Sequence, residues 1–125
     1  MYNVHIKGEI NMYRNHNCGE LTIKNVGEKV TLAGWVQKIR NLGSMKFIDL
    51  RDEFGITQIV ISSESSITDE DLKNVSTECV IQVVGNVVER SNKNDKIPTG
   101  EIEIDAEKVE VLGKCKNVLP FEVNS

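Results

Sequence analysis

Residues 46–62 read KFIDLRDEFGITQIVIS and carry the clearest structural pattern in the chain. In the first half, Ile48 and Leu50 share one face while Phe47 lies on the opposite one, which is typical of a half-buried strand. A short connection ending in Gly55 leads to a second alternating run. This stretch therefore predicts two strands joined as a hairpin.

Three more strands are predicted around this hairpin. The stretch 30–39, VTLAGWVQKI, is rich in β-branched residues, and its Gly34 marks a place where a strand can bend or let another backbone approach closely. Thr68, followed by acids, predicts the cap of a short helix within 65–73. The predicted strands are 30–39, 46–52, 57–62, 80–89 and 101–111, with turns or loops at 40–44, 53–55 and 90–100.

Five strands with a helix between the third and the fourth are the element order of an OB-fold. We therefore predict an all-β chain with one short helix, folded as a five-stranded OB-fold Greek-key barrel. Such barrels commonly bind oligonucleotides on an open face. Another five-stranded β domain without a nucleic-acid role would fit the same pattern.

Composition restricts the class of protein. With 125 residues, of which 27% are charged, the chain is expected to form one globular domain with one core. It has neither a secretory leader pattern nor an apolar run of the roughly 18 residues that a membrane span needs, so we expect a cytoplasmic location and no membrane partner. Cys18, Cys79 and Cys115 are odd in number and far apart, which predicts reduced thiols.

Charge is distributed unevenly along the chain. The net charge of -4 argues against a wholly basic nucleic-acid binder but permits a local basic patch. Such a patch is predicted at 38–51, where four cations accompany a single acid, whereas 64–78 is acidic.

The sequence offers little for catalysis. Its histidines, His5 and His16, lie in the poorly patterned N-terminal part, and no phosphate-binding glycine loop or nucleophile motif is present. We therefore predict no catalytic residues and no metal site in this chain.

Three outward-facing side chains are candidates for reading bases. Phe47 could stack on an unpaired base, or its ring could be covered by the N-terminal segment or a loop. Gln58 offers a donor and an acceptor, the pattern that matches a uracil edge, or it is a solvated surface amide. Glu103 could accept from the N–H groups of guanine, or it is an ordinary exposed strand acid. Candidates for phosphate contacts, otherwise solvated charges, are Lys38, Arg40, Arg51 and Arg90.

Specific strings then point to a family. Its markers here are the strings at 18–21 (CGEL), 30–36 (VTLAGWV), 47–52 (FIDLRD), 55–58 (GITQ), 99–103 (TGEIE) and 119–121 (LPF). Across 12–121 the chain resembles the N-terminal anticodon-binding domain of bacterial aspartyl-tRNA synthetases, which are class II enzymes. The central strings are shared with asparaginyl- and lysyl-tRNA synthetases, whereas CGEL and TGEIE are typical of the aspartyl branch.

The resemblance implies a role for each site residue. Phe47 would stack on an anticodon base, Gln58 would read the central uracil, and Glu103 would read the guanine in first position. Two arginines and a loop asparagine would approach the same nucleotides: Arg40, Arg90 and Asn94. Many relatives carry three consecutive arginines where this chain has residues 38–40, so Ile39 removes one phosphate contact.

The resemblance also implies a larger parent enzyme. The full family member attaches aspartate to tRNA(Asp) with ATP and Mg²⁺, and it works as a homodimer. We expect 1–12 to be a flexible extension, 13–113 to be the OB-fold domain, and 114–125 to begin a linker to a catalytic domain that this chain lacks. No cofactor is expected in the chain itself.

Two other functions remain in competition at this point. A nonspecific single-strand-binding OB module would need several aromatic rings along a groove, and Phe47 is the one good candidate. A noncatalytic protein-interaction domain would use the acidic residues at 69–71 and would have no affinity for RNA.

Overall fold

The fold is a closed barrel of five strands. The computed structural model describes residues 14–62, 64–73, 75–77 and 79–113; the predicted extension at 1–12 and the predicted linker at 114–125 lie outside these ranges, as does Cys115. In chain order the elements are a 3-10 helix at Ile23–Asn25, β1 at Lys29–Leu42, β2 at Met45–Asp52, β3 at Gly55–Ile61, helix α1 at Asp69–Leu72, β4 at Val80–Glu89 and β5 at Ile102–Gly113.

The strands close in the order β1-β2-β3-β5-β4, with β4 pairing back onto β1. Every pair is antiparallel except β3 with β5, which run parallel through a short register at Ile59↔Ile104 and Val60↔Asp105. This topology confirms the predicted five-stranded OB-fold barrel. Among the described residues no helix is long and apolar enough to cross a membrane.

The core lies inside the barrel, where the alternating strands place their apolar side chains. Ile48 and Leu50 of β2 are buried, which confirms the predicted alternation of this strand. Ile102 and Ile104 of β5 are buried as well, in agreement with the outward position predicted for Glu103 between them. Strand β3 is buried on both of its faces. Gln58 and Val60, on its outer face, are also buried, and the side chains of Arg40 and Glu103 form hydrogen bonds with Gln58 there.

The β1–β2 hairpin is longer than the sequence predicted. Residues 40–42 were assigned to a turn, yet they continue β1 and pair with 45–47 of β2. The turn is reduced to Gly43-Ser44, and the φ of +66° at Gly43 is a conformation that glycine adopts without strain. The extension has a functional consequence, because it places Arg40 directly opposite Phe47.

Helix α1 is shorter than the predicted range, with only four residues. Its predicted cap is confirmed: the Thr68 hydroxyl accepts from the backbone N–H of Asp71 at 3.2 Å, while an Asp71 carboxylate oxygen accepts from the backbone N–H of Thr68 at 2.9 Å. Asp71, one of the acids of the interaction patch predicted at 69–71, is thus bonded within its own helix.

Asp52, at the end of β2, organises the N-terminal side of the barrel. It is only 3% exposed, and its carboxylate accepts from the guanidinium of Arg14 and from the backbone N–H groups of Cys18 at 2.8 Å and Phe54 at 2.8 Å. The backbone N–H of Gly55 donates to it at 3.1 Å. Because a buried carboxylate needs such partners, Asp52 fixes both the hairpin turn and the segment that precedes β1.

The two described cysteines, Cys18 and Cys79, are buried and form no disulfide, as predicted. Burial raises the pKa of the Cys18 thiol well above its ordinary value, and the nearby Asp52 carboxylate raises it further. Cys18 is therefore protonated and unreactive at neutral pH.

Candidate nucleic-acid interface

Four strands bring the predicted base-reading side chains to one pocket. Arg40 comes from β1, Phe47 from β2, Gln58 from β3 and Glu103 from β5. The last three follow from the alternation that sends Ile48, Ile59 and Ile104 into the core. Arg40 is placed by the extension of β1. The pocket has a volume of about 130 Å³. Its lining residues are Arg40, Phe47, Gln58, Arg90, Ser91, Asn92 and Glu103.

Gln58 forms the floor of this pocket and is held on both sides. Its side-chain oxygen accepts from Arg40 Nη2 at 2.9 Å, and its Nε2 donates to Glu103 Oε1 at 2.7 Å. With 6% of its surface exposed, it is not the solvated surface amide that sequence alone left open. Its oxygen keeps a second lone pair and its nitrogen a second N–H, so the amide can still offer directional hydrogen bonds to a ligand.

Phe47 presents a half-buried ring at the pocket wall. The guanidinium carbon of Arg40 lies 5.7 Å from the ring centroid, within the range of a cation–π contact. The ring is therefore supported on one side by a cation while it still lines the pocket. Stacking on a base remains a prediction.

The connection between β4 and β5 forms the rim. Arg90 lines the pocket, and its backbone N–H donates to the carbonyl of Glu101 at 2.9 Å, which holds the start of this loop against its end. Ser91 and Asn92 also line the pocket and were missed by sequence reasoning. Their position immediately after Arg90, in a stretch predicted as a loop, was the available signal.

Asn94 does not line the pocket. Its side-chain oxygen accepts from the backbone N–H of Lys96 at 3.0 Å, and its backbone N–H donates to the carbonyl of Gly100 at 2.9 Å. In this structure it shapes the loop. Its predicted contact with the anticodon stays a prediction.

Two predicted phosphate contacts lie outside the pocket. Lys38 is exposed on β1, and Arg51 is exposed on β2, where its Nη1 donates to Gln37 Oε1 at 2.8 Å. Both belong to the strands that carry Arg40 and Phe47, so they add positive charge beside the pocket. Their contacts with phosphates remain predictions.

The pocket is suited to binding unpaired bases. It combines an aromatic ring, an amide, a carboxylate and two guanidinium groups, which are the groups that stack on bases and read their edges. Within the described ranges no three His, Cys, Asp or Glu side chains are grouped so that they could hold a metal ion.

Comparison with protein families agrees with this chemistry. A family model of the tRNA anticodon type, described as an OB-fold nucleic acid binding domain, matches residues 30–112, which is well over half of the chain. The chain belongs to this family. All five strands of the anticodon-binding domain fall within or at the edge of the matched range.

The similar sequences within this family include bacterial aspartate–tRNA ligases. The domain is 46% identical to an aspartate–tRNA ligase of Mesoplasma florum over 91% of this chain and 19% of that protein. It is 48% identical to an aspartate–tRNA(Asp/Asn) ligase of Chlamydia abortus over 90% of this chain and 20% of that protein. The chain thus spans about a fifth of the length of these relatives, and it is an anticodon-binding OB-fold domain of the kind found in them.

A solved structure supports the fold independently. The aspartyl-tRNA synthetase of Entamoeba histolytica superposes with a TM-score of 0.73 over 90% of this chain and 24% of that one. The two share 21% sequence identity, so this likeness bears on the barrel architecture alone.

Proposed function

We propose that this domain binds the anticodon loop of tRNA(Asp) as part of an aspartyl-tRNA synthetase. The observation that carries the proposal is the pocket in which Phe47, Gln58 and Glu103 meet. The pocket is lined by a ring for stacking and by an amide and a carboxylate that lie within hydrogen-bonding distance of each other, and these groups match what unpaired bases require.

Each side chain has a proposed role. Phe47 stacks on an anticodon base, Gln58 reads the central uracil, and Glu103 accepts from the N–H groups of the first-position guanine. Arg40 and Arg90 contact the nucleotides or their phosphates. Asn94, Lys38 and Arg51 are proposed as outer contacts, because they lie outside the pocket.

The parent protein is proposed to share the activity of the relatives. It attaches aspartate to tRNA(Asp) through a class II catalytic domain that uses ATP and Mg²⁺, acts as a homodimer and works in the cytoplasm. The proposed contribution of this domain is to select the tRNA.

A nonspecific single-strand-binding module is less well supported. Such modules rely on successive aromatic platforms. Among the described residues that line this pocket, Phe47 is the single aromatic one, and the remainder are hydrogen-bonding or charged groups.

The test is a titration of the 125-residue chain with two RNA stem-loops. One carries the aspartate anticodon, and the other has cytosine in place of its central uracil, at one fixed salt concentration because phosphate contacts are salt-dependent. We expect tighter binding of the uracil loop. Equal binding of both loops would favour the nonspecific module, and binding of neither would contradict the proposal.

A further inference from the structure

Asp49 lies beside the pocket without lining it. It occupies the outer face of β2 between Phe47 and Arg51, and its Cα partner on β3 is Gln58. Its carboxylate is mostly buried, and its Oδ1 accepts from Arg40 Nη2 at 2.9 Å. The acid therefore contacts the pocket through Arg40.

One nitrogen of Arg40 joins two acceptors. Nη2 donates both to Asp49 Oδ1 and to Gln58 Oε1, each at 2.9 Å. Arg40 Nε is buried and has no hydrogen-bond partner among the described residues. The bonds from Nη2, together with the contact to the Phe47 ring, are thus what hold the guanidinium in place.

The neighbours of Gln58 determine which way its amide faces. A guanidinium can only donate and an ionised carboxylate can only accept. The amide oxygen must therefore face Arg40, and the amide nitrogen must face Glu103. If Arg40 moved away, the single hydrogen bond to Glu103 would alone hold the amide in this orientation.

We propose that Asp49 is a positioning residue for base discrimination: it anchors Arg40, which together with Glu103 sets the orientation of the Gln58 amide and also supports the Phe47 ring. This inference rests on the proposed function, because it supposes that Gln58 reads a base. It assigns a role in specificity to an acid in a basic part of the surface, where an acid alone would only repel RNA.

If Asp49 has this role, its removal should lower the preference for the uracil loop over the cytosine loop without a general loss of RNA affinity. In Asp49→Ala, the preference for the uracil loop over the cytosine loop should fall about tenfold, the scale of one charge-assisted hydrogen bond. Binding of the cytosine loop should stay the same or become tighter, because a negative charge near the RNA is lost. A variant with a merely structural defect would instead bind both loops more weakly.

Two further variants complete the experiment. Asp49→Asn removes the same charge but keeps an acceptor oxygen for Arg40, so it should retain more of the preference than Asp49→Ala. Glu110→Ala removes an exposed acid of β5 that lies outside the pocket, and it should leave the preference unchanged. Thermal unfolding of each variant checks that the barrel is intact.

The outcomes separate the two proposals. If the unsubstituted chain prefers the uracil loop and Asp49→Ala keeps that preference in full, the positioning role is overturned while the proposed function stands. If the unsubstituted chain shows no preference, the proposed function fails, and this inference fails with it.

Discussion

Phe47 lies on the outer face of β2 and outside the core cluster, so its truncation should disturb the barrel little. Phe47→Ala should weaken binding of the aspartate stem-loop by about 1–3 kcal/mol, the usual contribution of one base stacked on an aromatic ring. A matched control is Phe54→Ala, since the Phe54 ring is 55% exposed and lies outside the pocket. Equal losses in both variants would contradict the stacking role.

The Cys18 thiol gives stability a dependence on pH. Its pKa in the folded state is raised above the ordinary value of 9.0, so the folded state binds the proton more tightly than the unfolded state does. The stabilisation is fully present below about pH 9 and is lost as the pH rises through the higher, folded-state pKa.

Denaturant unfolding at a series of alkaline pH values tests this. Above pH 9 the unsubstituted chain should lose stability more steeply than Cys18→Ala does. The difference between their free energies of unfolding should therefore shrink as the pH rises. Val30→Ala truncates a buried side chain without a titrating group. Its free energy of unfolding should therefore differ from that of the unsubstituted chain by the same amount at every pH. A constant difference for Cys18→Ala would show that the thiol pKa is not raised.

At the residue scale, sequence reasoning identified the site by side-chain chemistry and alternation. It placed Phe47 and Glu103 on the outer face correctly, because a period of two fixes direction. It could not foresee the burial of Gln58, which depends on how closely β2 and β5 flank β3. It also missed Asp49, since the bond to Arg40 requires the longer β1 strand.

At the level of the strands, the backbone of β2 approaches β1 closely at Gly34. A Cβ at this position would lie 2.3 Å from the carbonyl oxygen of Arg51, closer than the two atoms can approach, so the backbones would have to separate. Gly34→Ala should lower the free energy of unfolding by about 1–3 kcal/mol, a typical cost of overpacking. Urea unfolding measures this, with Lys38→Ala on the same strand as a nearly neutral control.

Stability of Gly34→Ala equal to that of the unsubstituted chain would contradict the close approach. The sequence predicted either a bend or a close approach at this glycine, and the structure shows the second. Strand β4 has the bounds that were predicted, 80–89, whereas β1 is longer at both ends. Strand β1 extends further because residues 40–42 continue the hairpin pairing with β2, although their composition predicted a turn.

For the whole molecule, the order of strands and helix favoured the barrel class but also fitted another five-stranded β domain. The closing contact was not readable from local patterns, because β3 and β5 pair in parallel through only two residue pairs that are distant in sequence. The pocket depends on this closure, since it brings Glu103 within 2.7 Å of Gln58. The chemistry of the site was thus predictable from residues, and its geometry came from the long-range topology.

The measurement that tests anticodon recognition most directly is a ¹⁵N NMR titration with the aspartate stem-loop. It follows the side-chain amide of Gln58, assigned by its loss in Gln58→Glu, and the backbone amides of residues 90–92. We expect these signals to shift strongly with the uracil loop and less with the cytosine loop, while those of the 3-10 helix at 23–25 stay in place. Binding accompanied by shifts elsewhere, with the Gln58 amide unmoved, would contradict the assignment of this pocket to the anticodon.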